Sequence, residues 1–188
     1  MNTYNGPTEQ AILKTVKLFI GKPDRVSLAS PTVYNGSTYA SDGHKAMYIP
    51  NQVPGLATMC DEYKIGGTMQ SCFRYRDDYK TVNFSPKFFK RDQCKKNIES
   101  AYTVRGEEVK TKRYPYIWVT DSELVIESNE TKRPDNCKIQ LNYKYFLDAI
   151  NFDRKCTWEL KWAYKDMQVL LIPNNGSGVQ FCIMPMRF

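Results

Sequence analysis

The chain has 188 residues, enough for one large domain or two small ones. Hydrophobic residues make up 41% of it and aromatic residues 13%, which excludes a disordered chain, and no apolar run reaches the roughly 18 residues of a membrane-spanning helix. With 27 basic and 20 acidic residues the net charge is +7, a bias that favours contact with a polyanion without requiring one.

The opening residues Met1 to Pro7 lack the basic and apolar regions of a secretory signal, so a cytoplasmic protein with no membrane partner is expected. Residues 9–20 read as an amphipathic helix capped by Thr8, with Ile12, Leu13, Val16, Phe19 and Ile20 on one stripe and Lys14 and Lys17 off it. Gly21 stops it. Strands follow at 25–34 and 38–49, joined by the hairpin signal Asn35-Gly36, and the second is interrupted at Ser41-Asp42-Gly43-His44.

Prolines and glycines break up residues 50–80, where a short hairpin is expected around Gly66-Gly67. Thr81 to Phe84 reads as a strand. Ser85-Pro86 reads as the start of a basic helix from Lys87 to about Tyr102, with Cys94, Ile98 and Ala101 facing inward. Another basic stretch runs from Arg105 to Arg113. Residues 116–126 form a hairpin. Cys137 to Leu141 is a strand, and Asn142 caps a helix bearing Tyr143, Phe146, Leu147 and Ile150. Three strands close the chain: the alternating Trp158, Leu160 and Trp162, then residues 167–172, then Val179, Phe181 and Ile183.

The six cysteines are expected to be free thiols. No CxxC pair exists and there is one histidine, so no metal site is expected. No phosphate-binding loop or dinucleotide fingerprint is present, and no cofactor is implied. Ser/His/Asp or Cys/His catalysis would have to run through His44; composition leaves that open, and no catalytic residue is assigned.

The chain ends with the content of a core strand, Phe181-Cys182-Ile183-Met184-Pro185-Met186-Arg187-Phe188. Together with Tyr145-Phe146-Leu147-Asp148-Ala149-Ile150, this ending resembles the closing half-domain of the bacterial sliding clamp, the processivity subunit of the replicative DNA polymerase. That family carries a Tyr-hydrophobic-Leu-Asp helix and ends in Val-Met-Pro-Met-Arg-Leu. Ala40-Ser41-Asp42-Gly43-His44-Lys45-Ala46 is similar to the family's Thr-Asp-Gly-His-Arg-Leu-Ala segment. Lys45 stands for its arginine and Ala46 for its leucine, with Met47 the candidate apolar substitute. The likeness covers roughly residues 1–50 and 81–188, in a chain about half the family's length.

The resemblance implies an α+β, DNA-clamp-like fold of antiparallel sheets packed against short amphipathic helices. It implies a truncated first unit at 1–80 with an irregular insert at 50–80 and a fuller second unit at 81–188, or one compact domain. It implies a peptide groove built from Asp42, Gly43, His44, Lys45, Ala46, Met47, Met184, Pro185, Met186 and Arg187. That groove would take short peptides of a DNA polymerase or other replication proteins. A DNA-facing surface would use Lys87, Lys90, Arg91, Lys95, Lys96, Lys110, Lys112 and Arg113, joined by Arg154 and Lys155, and hold duplex DNA without regard to sequence. Such a protein tethers and is not an enzyme. A chain this short would self-associate to encircle DNA, and its reduction suggests a phage or mobile-element source. The alternatives are a clamp mimic that forms no ring and sequesters host proteins, and a DNA-binding or regulatory protein that reuses the fold.

Overall fold

A computed structural model describes residues 8–25, 28–56, 66–74, 77–89, 98–104, 107–113, 115–127, 133–164 and 167–186. Helix α1 is Glu9–Phe19, and Thr8 caps it by accepting a 3.3 Å hydrogen bond from the Ala11 amide. Strands β1 (Thr32–Tyr34) and β2 (Ser37–Ser41) form the expected hairpin, with Asn35 at φ 49° and Gly36 at φ 76°. Those two left-handed residues give the turn whose twist matches its strands. Among the described residues of the expected 25–34 strand, Thr32–Tyr34 alone is strand. Strand β3 (Lys45–Ile49) returns after the turn at Asp42–His44.

Two expectations fail in the middle of the chain. Gly66–Ser71 is a short helix, α2, and not a hairpin, because Met69 is drawn into an aromatic cluster on the sheet. After β4 (Lys80–Phe84) neither described end of the expected helix from Lys87 to Tyr102 is an α-helix. Pro86–Phe88 makes one 3-10 turn, and Ile98–Val104 is a strand, β5, paired in register with β6 (Glu107–Arg113). Ile98, Tyr102, Thr103 and Val104 are strand formers, and a hairpin partner lies only two residues away. Residues 90–97 lie outside the described residues.

The last third follows the reading closely. Strands β7 (Tyr116–Val119) and β8 (Leu124–Glu127) form a hairpin, and β9 (Ile139–Asn142) pairs with β7. Asn142 caps helix α3 (Tyr143–Ile150) through a 3.0 Å bond from the Lys144 amide. Strands β10 (Trp158–Trp162), β11 (Val169–Pro173) and β12 (Gln180–Ile183) complete the chain.

The strands β1-β2-β3-β12-β11-β10-β4 form one antiparallel sheet, and β8-β7-β9 form a second. The wide sheet joins strands from both ends of the chain at the β3–β12 pair, where Phe181 lies opposite Met47 and Cys182 opposite Ala46. Alternation sorts its side chains. Met47, Trp158, Leu160, Leu171, Phe181 and Ile183 face a core shared with Val16 and Phe19 of α1 and Phe146, Leu147 and Ile150 of α3. Tyr39, Ala46, Leu170 and Cys182 face the opposite side, under Met69 and Phe73. The narrow sheet adds Ile117, Val119, Ile139 and Leu141 to the shared core.

One charge sits inside this packing. Lys45 is 4% exposed, and its ammonium donates a hydrogen bond to Asp148 of α3. Asp42 lies 4.0 Å away. The rings of Phe19 and Tyr145 flank the cation at 4.8 and 5.3 Å. A buried cation without a carboxylate is far more costly than one with it. Asp148→Leu should therefore cost roughly 3 kcal/mol in urea denaturation, the low end of the usual range, because Asp148 keeps 16% exposure. Lys45→Met should cost less, since the remaining carboxylate reaches water, and the double variant should recover most of the Asp148→Leu loss. A cost for Asp148→Leu no larger than that of a surface ion pair would remove the pair from the core's support.

Candidate functional site

The turn at Asp42–His44 is held by its own side chains. Asp42 Oδ1 accepts from the His44 amide at 2.9 Å and the Lys45 amide at 3.0 Å. Ser41 Oγ accepts from the Gly43 amide at 3.0 Å and donates to the Lys45 carbonyl at 3.0 Å. Gly43 has φ 91°, and a Cβ there would lie 3.1 Å from Arg25 Nη1. Only glycine suits that position without strain. Arg25 Nη1 in turn donates to the Asp42 carbonyl at 3.0 Å.

This turn projects His44 outward. Its ring is exposed and stacks on Tyr145 of α3, with centroids 6.0 Å apart and planes 13° apart. Beside it lies a cleft of about 320 Å³ lined by Ile20, Lys22, Arg25, Asp42, His44 and Tyr145 among others. Burial pushes the Tyr145 hydroxyl above the usual phenol range, and the Asp42 and Asp148 carboxylates push it further.

The chain's last described residues run along this turn. The Met184 amide donates to the His44 carbonyl at 2.9 Å, extending the β12–β3 pairing by one bond. Pro185 has no amide to offer. The Met186 amide then donates to the Gln140 carbonyl of β9 at 2.8 Å. Met186 packs against Tyr116, Trp118 and Cys137, while Met184 remains 43% exposed. The segment therefore crosses from the wide sheet to the narrow one over the His44 turn.

Of the residues assigned to a groove, Asp42, Gly43, His44 and Met184 thus meet at the turn, while Pro185 and Met186 lead away from it to β9. Lys45, Ala46 and Met47 do not line its surface. Lys45 is buried against Asp148, Ala46 faces the α2 side of the sheet, and Met47 lies wholly in the core. Strand alternation turns them away, and the sequence comparison alone carries no information on which face each takes. Arg187 lies outside the described residues. Sequence reasoning did not assign Arg25 or Tyr145, because nothing local marks either as a neighbour of His44.

The described members of the basic set lie on the 3-10 turn, on β6 and after α3. Lys87 is exposed on the 3-10 turn, and Lys155 is exposed after α3. Arg154 is committed to structure: it donates to Asn151 Oδ1 at 2.9 Å, to the Pro86 carbonyl at 2.9 Å and to the Phe89 carbonyl, tying that turn to the end of α3. Lys110, Lys112 and Arg113 lie on β6, opposite Ala101, Glu99 and Ile98. Lys90, Arg91, Lys95 and Lys96 lie outside the described residues. Among the described residues the longer helices are α1 and α3, which cover the same face of the wide sheet. Their exposed cations are Lys14, Lys17 and Lys144, and a depression of about 640 Å³ between them includes Lys14, Leu18, Asp148 and Arg154. Lys14 and Lys17 are visible in the sequence as residues off the apolar stripe, yet nothing local gives the helix they belong to a functional assignment.

Among the described residues no group of histidine, cysteine and carboxylate side chains has the arrangement of a metal site. No helix among them is long and apolar enough to cross a membrane.

No protein-family model matches the chain, and no curated protein matches it in sequence. Solved structures do match. DNA polymerase III subunit beta from Borrelia burgdorferi superposes with a TM-score of 0.63 at 11% identity, covering 96% of this chain and 62% of that one. The DNA polymerase sliding clamp from Bacillus subtilis gives 0.60 at 12% identity, covering 97% and 63%. The beta sliding clamp from Caulobacter crescentus gives 0.58 at 15% identity, covering 100% and 68%. This chain thus spans 62% of the Borrelia clamp and no more than about two thirds of the others. Its antiparallel sheets and short amphipathic helices have the fold of the bacterial DNA polymerase sliding clamps.

Proposed function

We propose that this protein is a sliding-clamp-like tethering factor that holds a replication protein near duplex DNA. It performs no chemistry; it raises the local concentration of its partner at the template. The observation that carries this reading is the hydrogen bond from the Met184 amide to the His44 carbonyl. It brings together the two separate segments that resemble the clamp's peptide groove. In this reading residues 1–80 and 81–188 are two clamp-like units, the first truncated, that meet at the β3–β12 seam.

The partner is a short linear peptide of a DNA polymerase or another replication protein. The stacked His44 and Tyr145 rings supply a rigid edge, and Met184 supplies an adaptable apolar contact. Asp42, Gly43 and Arg25 hold the backbone of that edge in position. The DNA-facing surface is the outer side of α1 and α3, with Lys14, Lys17 and Lys144 meeting phosphates, extended by Lys87 and Lys155. This moves the assignment from the basic segment after Ser85 to helices that pack side by side on one face of the sheet. In this reading several copies close around DNA.

A non-ring mimic of the clamp is the second reading. Light scattering after gel filtration separates the two. A discrete closed oligomer at near-physiological salt is expected, and a monomer at every concentration would leave the mimic.

Binding of a polymerase-derived clamp-binding peptide, followed by fluorescence anisotropy, should weaken about tenfold in His44→Ala and in Met184→Ala. Unchanged affinity in both would rule out this groove. Lys14→Glu with Lys17→Glu should weaken DNA retention and lower its salt dependence by about one unit of slope for each phosphate no longer neutralised, leaving peptide affinity as it was. An unaltered salt slope would mean DNA lies elsewhere.

A further inference from the structure

The face of the wide sheet away from α1 and α3 carries a feature that the tethering reading does not use. Strand alternation points Phe181 and Ile183 into the main core and Cys182 to the opposite side. Helix α2 lies over that side, against β1 and β2. Cys72 follows the last turn of α2 and packs into the same cluster as Cys182, beside Tyr39, Met69, Phe73 and Leu170. Within that cluster each thiol is the neighbour that most affects the other's titration. Cys72 also lies 3.5 Å from the Thr68 carbonyl, to which its thiol donates.

The pair is asymmetric. Cys182 is 2% exposed, whereas Cys72 is only partly buried and reaches solvent. The neighbouring Cys182 thiol holds Cys72 down at about 7, against the opposing effect of burial, and the Ser71 hydroxyl helps. The same contact, with burial, pushes Cys182 well above the usual thiol range. The accessible sulfur is thus the better nucleophile and the buried one holds the proton. The other two free cysteines among the described residues differ. Burial and the Asp153 carboxylate push Cys156 up to about 11, and burial raises Cys137. Cysteines that serve only as small apolar side chains need no such division between an exposed sulfur and a buried partner.

We propose that Cys72 and Cys182 form a reversible dithiol–disulfide pair that fastens α2 to the strand leading into Met184-Pro185-Met186. The oxidant is a low-molecular-weight disulfide. The Cys72 thiolate attacks one of its sulfurs, forming a mixed disulfide and releasing one thiolate. Cys182 attacks the Cys72 sulfur and passes its proton to the small-molecule thiolate that it displaces. The Cys72–Cys182 bond forms, the mixed disulfide breaks and the second thiolate leaves. Two protein thiols are oxidised and one small disulfide is reduced to two thiols. A reducing compartment returns the pair to the dithiol, which makes the bond transient and regulatory, not a permanent staple.

The lock acts close to the proposed groove. Cys182 precedes Met184 by two residues, and β12 pairs with β3 just beyond the His44 turn. Oxidation therefore ties the covering helix to the strand on which that turn is anchored, whether or not the turn binds a peptide.

The test is to incubate the full-length protein with oxidised glutathione near neutral pH, block remaining thiols and map disulfides by mass spectrometry. The expected result is a cross-linked peptide joining Cys72 to Cys182 within one chain, lost on adding dithiothreitol. Cys182→Ala should instead accumulate glutathione on Cys72, and Cys72→Ser should abolish the cross-link. If Cys182→Ala does not fold, the wild-type map still decides. A stable glutathione adduct on wild-type Cys72, a bond from Cys72 to any other cysteine, or an unmodified Cys72 would each overturn the proposal.

Discussion

The relation between the two ends of the chain depends on where Lys45 puts its charge. An ammonium at 4% exposure needs a carboxylate, and the one that reaches it belongs to α3, about a hundred residues further along. Tyr145 and Asp148 are three apart on α3 and share a face. Directing Asp148 at Lys45 therefore brings Tyr145 over the turn that precedes β3. Phe19, in the last turn of α1, closes the other side of the cation. One ion pair thus fixes the end of α1, the start of β3 and the middle of α3 relative to one another. The stacked His44 and Tyr145 rings are a consequence of that arrangement.

The closing segment adds a second tie. Backbone pairing between β12 and β3 continues through Met184, stops at Pro185 and resumes at Met186 on β9. Proline suits the middle of that crossing because the strand leaves one sheet there and has no ladder partner to satisfy. Met186 fills the space beside Tyr116 and Trp118, which anchors the crossing, while Met184 stays half-exposed. The segment is rigid enough to shape a surface and still presents an adaptable side chain on it.

Much of this is legible in the sequence wherever a local rule and the tertiary environment agree. Thr8 and Asn142 are helix caps in sequence and in space. Asn35-Gly36 demands a tight hairpin, and the alternation of Trp158, Leu160 and Trp162 names the buried face of β10. The failures are places where the deciding contact is distant. Ile98 and Ala101 fit a helical stripe, but β5 is settled by pairing with β6, whose sequence Glu-Glu-Val-Lys-Thr-Lys-Arg shows no apolar alternation. Gly66-Gly67 discourages a helix, yet burial of Met69 against Tyr39 and Phe73 outweighs it. Lys45 reads as a groove-lining cation because nothing beside it in the chain announces Asp148.

The same contrast accounts for a shared fold at 11–15% identity. Most core positions ask only for an apolar side chain of suitable volume on the correct face, a demand that many sequences meet. A few positions allow less freedom. Gly43 combines φ 91° with a neighbour 3.1 Å from any Cβ. Asp42 must accept two backbone amides at once. These residues belong to the short segment whose likeness to the clamps can be seen by eye, whereas the interchangeable apolar positions leave no trace for a sequence comparison. Resemblance survives in the sequence where backbone geometry and hydrogen bonding single out one side chain, and in this chain one such place is the turn beneath His44.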